Sequence, residues 1–210
     1  MQPRYVLDMG CGPGHTSALL QLRFPHSEVT GLDESRAMVE EARGRVPSAW
    51  FTVADVTEPL RLPADVVYAR MMLGHLPEPD AALACWAAAI RPPGLIVCEE
   101  PVRYQSDNQL FTQYEAAVTS VVAARGATLW AGPALDADPP ECVRILDRVV
   151  EHRVRAGRAA AMFWRNAVTW GDEVADSEQL IERLRTLEAD DPDDEVQWEL
   201  RQTVWSRTAR

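Results

Sequence analysis

Val6-Leu7-Asp8-Met9-Gly10-Cys11-Gly12-Pro13-Gly14-His15-Thr16-Ser17 is the stretch on which the fold turns. Arg4-Tyr5-Val6-Leu7 is a short apolar run, as a strand covered on both faces requires. Gly10, Gly12 and Gly14 follow at alternate positions, and glycine permits backbone angles and close approaches that a Cβ blocks. Ala18, Leu19, Leu20 and Leu22 then share a helical face. The order is strand, tight turn, helix. A helix starting here aims free N–H groups and the positive end of its dipole at the turn, which suits an anionic group on a small ligand.

The dinucleotide fingerprint GxGxxG also follows a strand and opens a helix. Counted from Gly10, its third glycine falls on His15; counted from Gly12, it falls on Ser17. The pattern that matches in full is acidic-x-Gly-x-Gly-x-Gly, from Asp8 to Gly14. It resembles motif I of the class I S-adenosylmethionine-dependent methyltransferases, of the small-molecule type related to ubiquinone biosynthesis. The resemblance implies an α/β fold: a Rossmann-like seven-stranded sheet, mostly parallel with the last strand antiparallel. Helices cover both faces, and a helical insertion follows the fifth strand. It implies S-adenosyl-L-methionine as cofactor and S-adenosyl-L-homocysteine as product. It places Asp8, Gly10, Cys11, Gly12 and Gly14 at that cofactor.

The chain has 210 residues and is 47% hydrophobic, which suits a single domain, 1–210, with a sizeable core. The cofactor half runs to about residue 101, and 102–210 is expected to cover the substrate. A net charge of −11 repels phosphate backbones and argues against nucleic acid as a partner. No apolar run is long enough to span a bilayer, and no signal-peptide pattern opens the chain. Cys11, Cys85, Cys98 and Cys142 are scattered, as reduced thiols in a cytoplasmic protein would be. Histidines and acids lack metal-ligand spacing, so no metal is expected. All 21 basic residues are arginine, which excludes a lysine nucleophile. Only Met1-Gln2-Pro3 precede the first strand, where resembling proteins usually carry a helix or two. An apolar edge left open there would favour a homodimer.

Glu28 to Asp33 reads as the second strand, ending on an acid about 20 residues past the glycine turn, where a carboxylate can accept both hydroxyls of a ribose. The resemblance gives Asp33 that role, with Glu34 beside it; capping the helix from Ser35 is the alternative. After the third strand, Ala49 to Val53, the resemblance assigns the adenine to Asp55 and Val56; a solvated loop is the alternative. The fourth strand, Ala64 to Arg70, leads into Met71-Met72-Leu73-Gly74-His75-Leu76-Pro77-Glu78-Pro79. This is similar to the HLPDP loop of the same methyltransferases. It places Ala69 and Arg70 beside the sulfonium and Met71, Met72 and Leu73 on a substrate wall. Asp65, at the opposite end of that strand, reads as structural.

His75 is one candidate general base, with an ordinary pKa near 6.5; packing the loop is its alternative role. Glu100 is the other, at the end of the strand Leu95-Ile96-Val97-Cys98. It could orient a substrate group or act as base, or else Glu99 and Glu100 pair with Arg70 or Arg103. Asp80 is expected to cap the next helix, and Arg91-Pro92-Pro93-Gly94 resembles an LRPGG turn. Later, Tyr104 to Gly126 reads as loop and helix, Val149 to Val154 as a sixth strand, and Ala159 to Trp170 as a helix. Its Met162, Phe163 and Trp164 read as core or as a pocket for a flat organic substrate. Leu180 to Leu187 marks another amphipathic helix, and Val196 to Trp205 a closing strand.

A methyl acceptor that is a small organic molecule, taking the group on oxygen or nitrogen, fits this outline. The same pocket could serve a different reaction, such as cyclisation, or a non-catalytic partner role; a nicotinamide oxidoreductase is disfavoured by the broken GxGxxG.

Overall fold

The computed structural model describes residues 2–61, 63–169, 174 and 176–208. Its strands are β1 Tyr5–Met9, β2 Glu28–Asp33, β3 Trp50–Val53, β4 Ala64–Arg70, β5 Ile90–Gln105, β6 Cys142–Arg155 and β7 Glu195–Arg207. They form one seven-stranded sheet in the order β3-β2-β1-β4-β5-β7-β6. β1 to β5 are parallel, and β7 runs antiparallel to both β5 and β6.

Alternation along β1 separates two layers. Val6 joins Val29, Val66 and Leu20 of helix α1, His15–Arg23. Leu7 and Met9 face the other way, onto Leu83, Trp86 and Ala87 of α3, Pro79–Ala89. Helix α2, Arg36–Arg45, packs Val39 and Ala42 against Cys11 and Phe51. The strand order reverses between β1 and β4, and ligands of open α/β sheets bind beside such a reversal.

The chain beyond Pro101 builds a roof. Helices α4 Gln109–Ala124, α5 Ala156–Ala167 and α6 Ser177–Asp190 pack with the first half of β7 around Phe111, Tyr114, Phe163, Leu184 and Trp198. The helical material is thus divided, α4 before β6 and α5–α6 after it. Phe163 is core, stacked on Tyr114 with ring centroids 4.0 Å apart. Met162 faces a cavity, and Trp164 donates to Glu188 at 2.5 Å. Trp170, expected at the end of this helix, lies outside the described residues.

Several boundaries differ from expectation. β5 extends from Ile90 through the Pro-Pro turn, with a cis peptide between Pro92 and Pro93, to Gln105. β6 starts seven residues before Val149, because antiparallel pairing with β7 runs from Cys142 to Arg155. Helix α3 has Glu78 at its cap position and Pro79 in its first turn, so Asp80 lies inside the helix. Proline is preset for that first turn and lacks the N–H that would need a cap. Asp65 is structural, as expected: Oδ2 accepts the N–H groups of Arg4 (2.7 Å) and Tyr5 (2.9 Å), and Oδ1 meets Arg91 at 2.7 Å.

Candidate active site

The glycine turn takes the form its residues demand. Gly10, Gly12 and Gly14 have φ of +63°, +51° and +85°, in the left-handed region where a side chain is strained. A Cβ on Gly10 would lie 2.2 Å from Met72 Sδ, whereas beside Gly12 the space is open. Helix α1 starts at Gly14 with no side-chain cap, leaving its first N–H groups without a side-chain partner.

A cavity of about 600 Å³ lies over this turn. It is lined by Gly10, Gly12, Asp33, Glu34, Asp55 and Val56, and on its other side by Met71, Met72 and His75. Asp33 is tied into the turn. Its Oδ2 accepts the Gly12 N–H at 2.8 Å and its Oδ1 the Ser35 N–H at 2.9 Å. Ser35 is itself the cap of α2, its Oγ accepting the Met38 N–H at 3.4 Å. Each Asp33 oxygen retains a lone pair for a hydroxyl. Asp55 Oδ1 accepts both the N–H (2.8 Å) and the hydroxyl (2.6 Å) of Thr57, which hold its carboxyl below the ordinary value. The Val56 carbonyl accepts the buried Trp86 indole N–H at 2.8 Å, so α3 fixes this loop.

Asp8, Cys11, Gly14, Ala69 and Arg70 do not line this cavity among the described residues. Asp8 is buried beneath the turn, accepting the Ser17 hydroxyl at 2.5 Å. Burial pushes its carboxyl up to about 7. Cys11 packs against Val39 and Phe51, and burial pushes its thiol up to about 12. Ala69 is fully buried in the sheet core. Arg70 turns to the opposite side and pairs with Glu99 at 2.7 Å, so its expected place beside the reacting centre is not what its side chain occupies.

A second cavity, of about 810 Å³, adjoins the first under the roof. Pro13, Met38, Met71, His75, Val122 and Asn166 line both. Tyr104, Trp130 and Trp198 give it aromatic walls. Arg158, Ala161, Met162, Arg165, Asn166 and Thr169 also line it, at the spacing of one helical stripe. Sequence reasoning missed these arginines and Asn166, although the stripe was there to be read.

His75 ends the short 3-10 helix Leu73–His75 and is open to both cavities. Surrounding protein, followed by the Arg125 charge, holds its pKa below the ordinary value, against the opposing pull of Glu34 and Asp33. Glu100 lines the second cavity's wall and is completely buried. Its Oε1 accepts the N–H groups of Met72 (2.9 Å) and Leu73 (3.0 Å). Burial pushes its carboxyl up to about 7. The pairing alternative holds for one acid: Glu99 pairs with Arg70 at 2.7 Å, whereas Glu100 takes the backbone N–H groups instead and Arg103 pairs with Glu199 at 2.5 Å.

A family model described as a methyltransferase domain matches residues 1–135. The chain belongs to this methyltransferase family. A curated relative, the trans-aconitate 2-methyltransferase of Methylobacterium radiotolerans, is 32% identical over 186 residues, 87% of this chain and 67% of that one. Further bacterial relatives of that name match over about half of this chain and under two fifths of their own length. Among solved structures, a Bacillus halodurans protein described as a candidate methyltransferase superposes with a TM-score of 0.66. It shares 11% identity and covers 100% of this chain and 94% of its own. The [4+2]-cyclase SpnF superposes at 0.58 with 15% identity, covering 98% of this chain and 76% of its own. At such identities these two show the fold alone.

S-adenosylmethionine is the cofactor of this methyltransferase, and the first cavity has the chemistry for it. A left-handed glycine turn with open space at Gly12, a carboxylate at a strand end and a second carboxylate after the next strand suit a nucleoside carrying an amino acid.

Proposed function

We propose that this methyltransferase transfers the methyl group of S-adenosylmethionine to a carboxylate oxygen of a small organic acid. Arg158 carries the proposal. It stands at the second cavity with no hydrogen bond or ion pair among the described residues, in a chain of net charge −11. An unpaired guanidinium is a ready fork for a carboxylate. Arg165, one helical stripe along, lines the same cavity, its charge shared with Glu188 at 3.5 Å. The relative that carries trans-aconitate in its name supports an acid as acceptor.

In this proposal Asp33 receives the ribose hydroxyls, Asp55 and Val56 the adenine, and Gly10 and Gly12 the close approach of the amino-acid end. Glu34 borders the ribose. Asp8, Cys11 and Gly14 shape the turn from beneath it. The division near residue 101 separates the strand ends that hold the donor from the roof over the acceptor.

S-adenosylmethionine supplies a methyl group already activated on a sulfonium. A carboxylate oxygen is a nucleophile at neutral pH without losing a proton, so the chain has only to position it and exclude water. Arg158 holds a second carboxylate of the acceptor at the cavity mouth. Tyr104, Trp130 and Trp198 flank its body and keep water out. The surrounding protein and the Arg125 charge hold the His75 pKa below the ordinary value, which disfavours an added positive charge at the passage between the cavities. The four free cysteines support a reducing, cytoplasmic setting.

Incubation with methyl-labelled S-adenosylmethionine and a panel of dicarboxylic, tricarboxylic and aromatic acids, amines and phenols tests the proposal. Base-labile methyl esters are expected, with Arg158→Gln raising KM for acids about tenfold, the weight of one charge-assisted bond at an exposed site. Label entering only amines or phenols, or none of the panel, overturns the choice of acceptor.

A further inference from the structure

The segment Met71 to His75 lies at the border of the two cavities, alongside Pro13, Met38, Val122 and Asn166. Met71 and His75 line both cavities and Met72 the first. The segment is held in a form its own residues do not favour. Met71 has φ of +51°, a left-handed conformation uncommon for a side chain of this size. Met72 sits where a Cβ on Gly10 would be. Gly74 is pressed against the loop after α4, since a Cβ there would lie 2.7 Å from the Thr128 carbonyl.

What holds the segment is β5. The Met71 N–H donates to the Glu99 carbonyl at 2.9 Å, continuing the β4–β5 ladder by one residue. From there Glu100 takes over with its side chain. Its Oε1 accepts the N–H groups of Met72 and Leu73, and the Gly74 N–H also bears on the carboxyl. Successive N–H groups converging in this way form a nest for an anion or a carbonyl-like oxygen. Here the occupant comes from the chain itself, and it is completely buried. Its Oε2 is buried with no partner among the described residues, so only one oxygen of the pair is engaged. Burying a carboxyl to leave half of it unsatisfied costs stability, and packing alone would favour an apolar side chain.

We propose that Glu100 is the positioning residue of this partition: its Oε1 fills the Met72–Leu73 nest and thereby fixes Met71 left-handed, Met72 against Gly10 and His75 between the donor and acceptor cavities. The proposal rests on the assignment of the two cavities to donor and acceptor. The groups facing Glu100 are Glu99 and Cys98 on its own strand, Arg201 opposite on β7, and His75 of the partition. Arg201 is committed to Asp147 at 2.7 Å and Asp136 at 2.5 Å, and Glu99 to Arg70. The nest is therefore the carboxyl's own partner.

Glu100→Gln keeps an oxygen for the nest and removes the ionisable group; Glu100→Ala leaves the nest empty. Amide hydrogen exchange at Met72 and Leu73 reads the partition without any ligand. The glutamine variant is expected to match the wild type, and the alanine variant to exchange at least about tenfold faster at these two amides. With donor and acid acceptor present, the alanine variant is expected to lose at least about tenfold in kcat while still folded, and glutamine to restore it within about threefold. Unchanged exchange and kcat in the alanine variant overturn the proposal. So does a glutamine variant that protects both amides yet is inactive, because Glu100 would then act as a base. If the wild type methylates no acid while the exchange pattern holds, the proposed acceptor falls and the positioning role stands.

Discussion

Asp33→Asn is the sharpest probe of the cofactor crevice. The carboxylate accepts one backbone N–H on each oxygen, from Gly12 at 2.8 Å and Ser35 at 2.9 Å. Asparagine has one acceptor oxygen and one amino group, so whichever way the amide is turned, its N–H groups face a backbone N–H. The remaining lone pairs, which would take the ribose diol, lose their charge as well. Hydrogen bonds to a charged group contribute about 1.5–3 kcal/mol and neutral ones about 1 kcal/mol. Losing the charge, along with one acceptor, should cost about 1.5–3 kcal/mol of binding, a tenfold to roughly hundredfold weaker Kd. Calorimetric titration with S-adenosylmethionine and S-adenosylhomocysteine measures it, with thermal melts to confirm that the variant is folded. Glu34→Gln is the control: Glu34 lines the same cavity on its exposed rim, and its loss should change Kd less than about threefold. An Asp33→Asn protein that binds both ligands within threefold of the wild type would refute the assignment of the diol to this carboxylate.

Gly14→Ala should destabilise the fold by about 1–3 kcal/mol, since φ is +85° and the new methyl would meet Ala42 Cβ at 3.0 Å and its Cα at 3.1 Å; an unchanged urea midpoint would count against the packing of α1 on α2. Asp8 keeps its proton in the native state up to about pH 7, whereas the unfolded chain loses it near pH 4. The native state therefore binds more protons across that window, and the Asp8 contribution makes stability fall as pH rises through it, by about 1.4 kcal/mol per unit, and level off above pH 7. Asp8→Asn should remove this slope, gaining on the wild type between about pH 4 and pH 7 and holding that gain above it; parallel denaturation curves would contradict it. His75→Asn should lower kcat on an acid less than about tenfold, because a carboxylate needs no base; a loss of a hundredfold or more would restore His75 as one.

The glycine turn and the strand-end acid were legible in the sequence because their requirements are local. Three left-handed glycines cannot be replaced cheaply, and an acid at a strand end is fixed by the register of neighbouring strands. Strand ends are less informative about which way a side chain turns. Ala69 and Arg70 end β4 as expected, but alternation across the pleat buries one and sends the other to Glu99. The second cavity depends on contacts between distant segments. Arg158 and Arg165 face the cavity only because α5 packs Ala159, Ala160 and Phe163 inward against α4 and β7. The extent of β6 was hidden because Val143, Ile145 and Val149 lie on an exposed surface, where apolar and polar residues mix without a clear alternation.

β7 contributes Trp205 to the core beneath the cofactor cavity, and Val196, Trp198 and Leu200 to the core of the roof. β5 runs beside it through both regions, paired from Gly94 to Gln105. The two cores therefore hang on a common pair of rails. A roof carried this way cannot swing as a hinged lid without tearing backbone pairing, which leaves side-chain and loop movement at its mouth as the way into the second cavity. The same rails would let α4, α5 and α6 vary in sequence, and the acceptor with them, while the glycine turn below keeps its geometry.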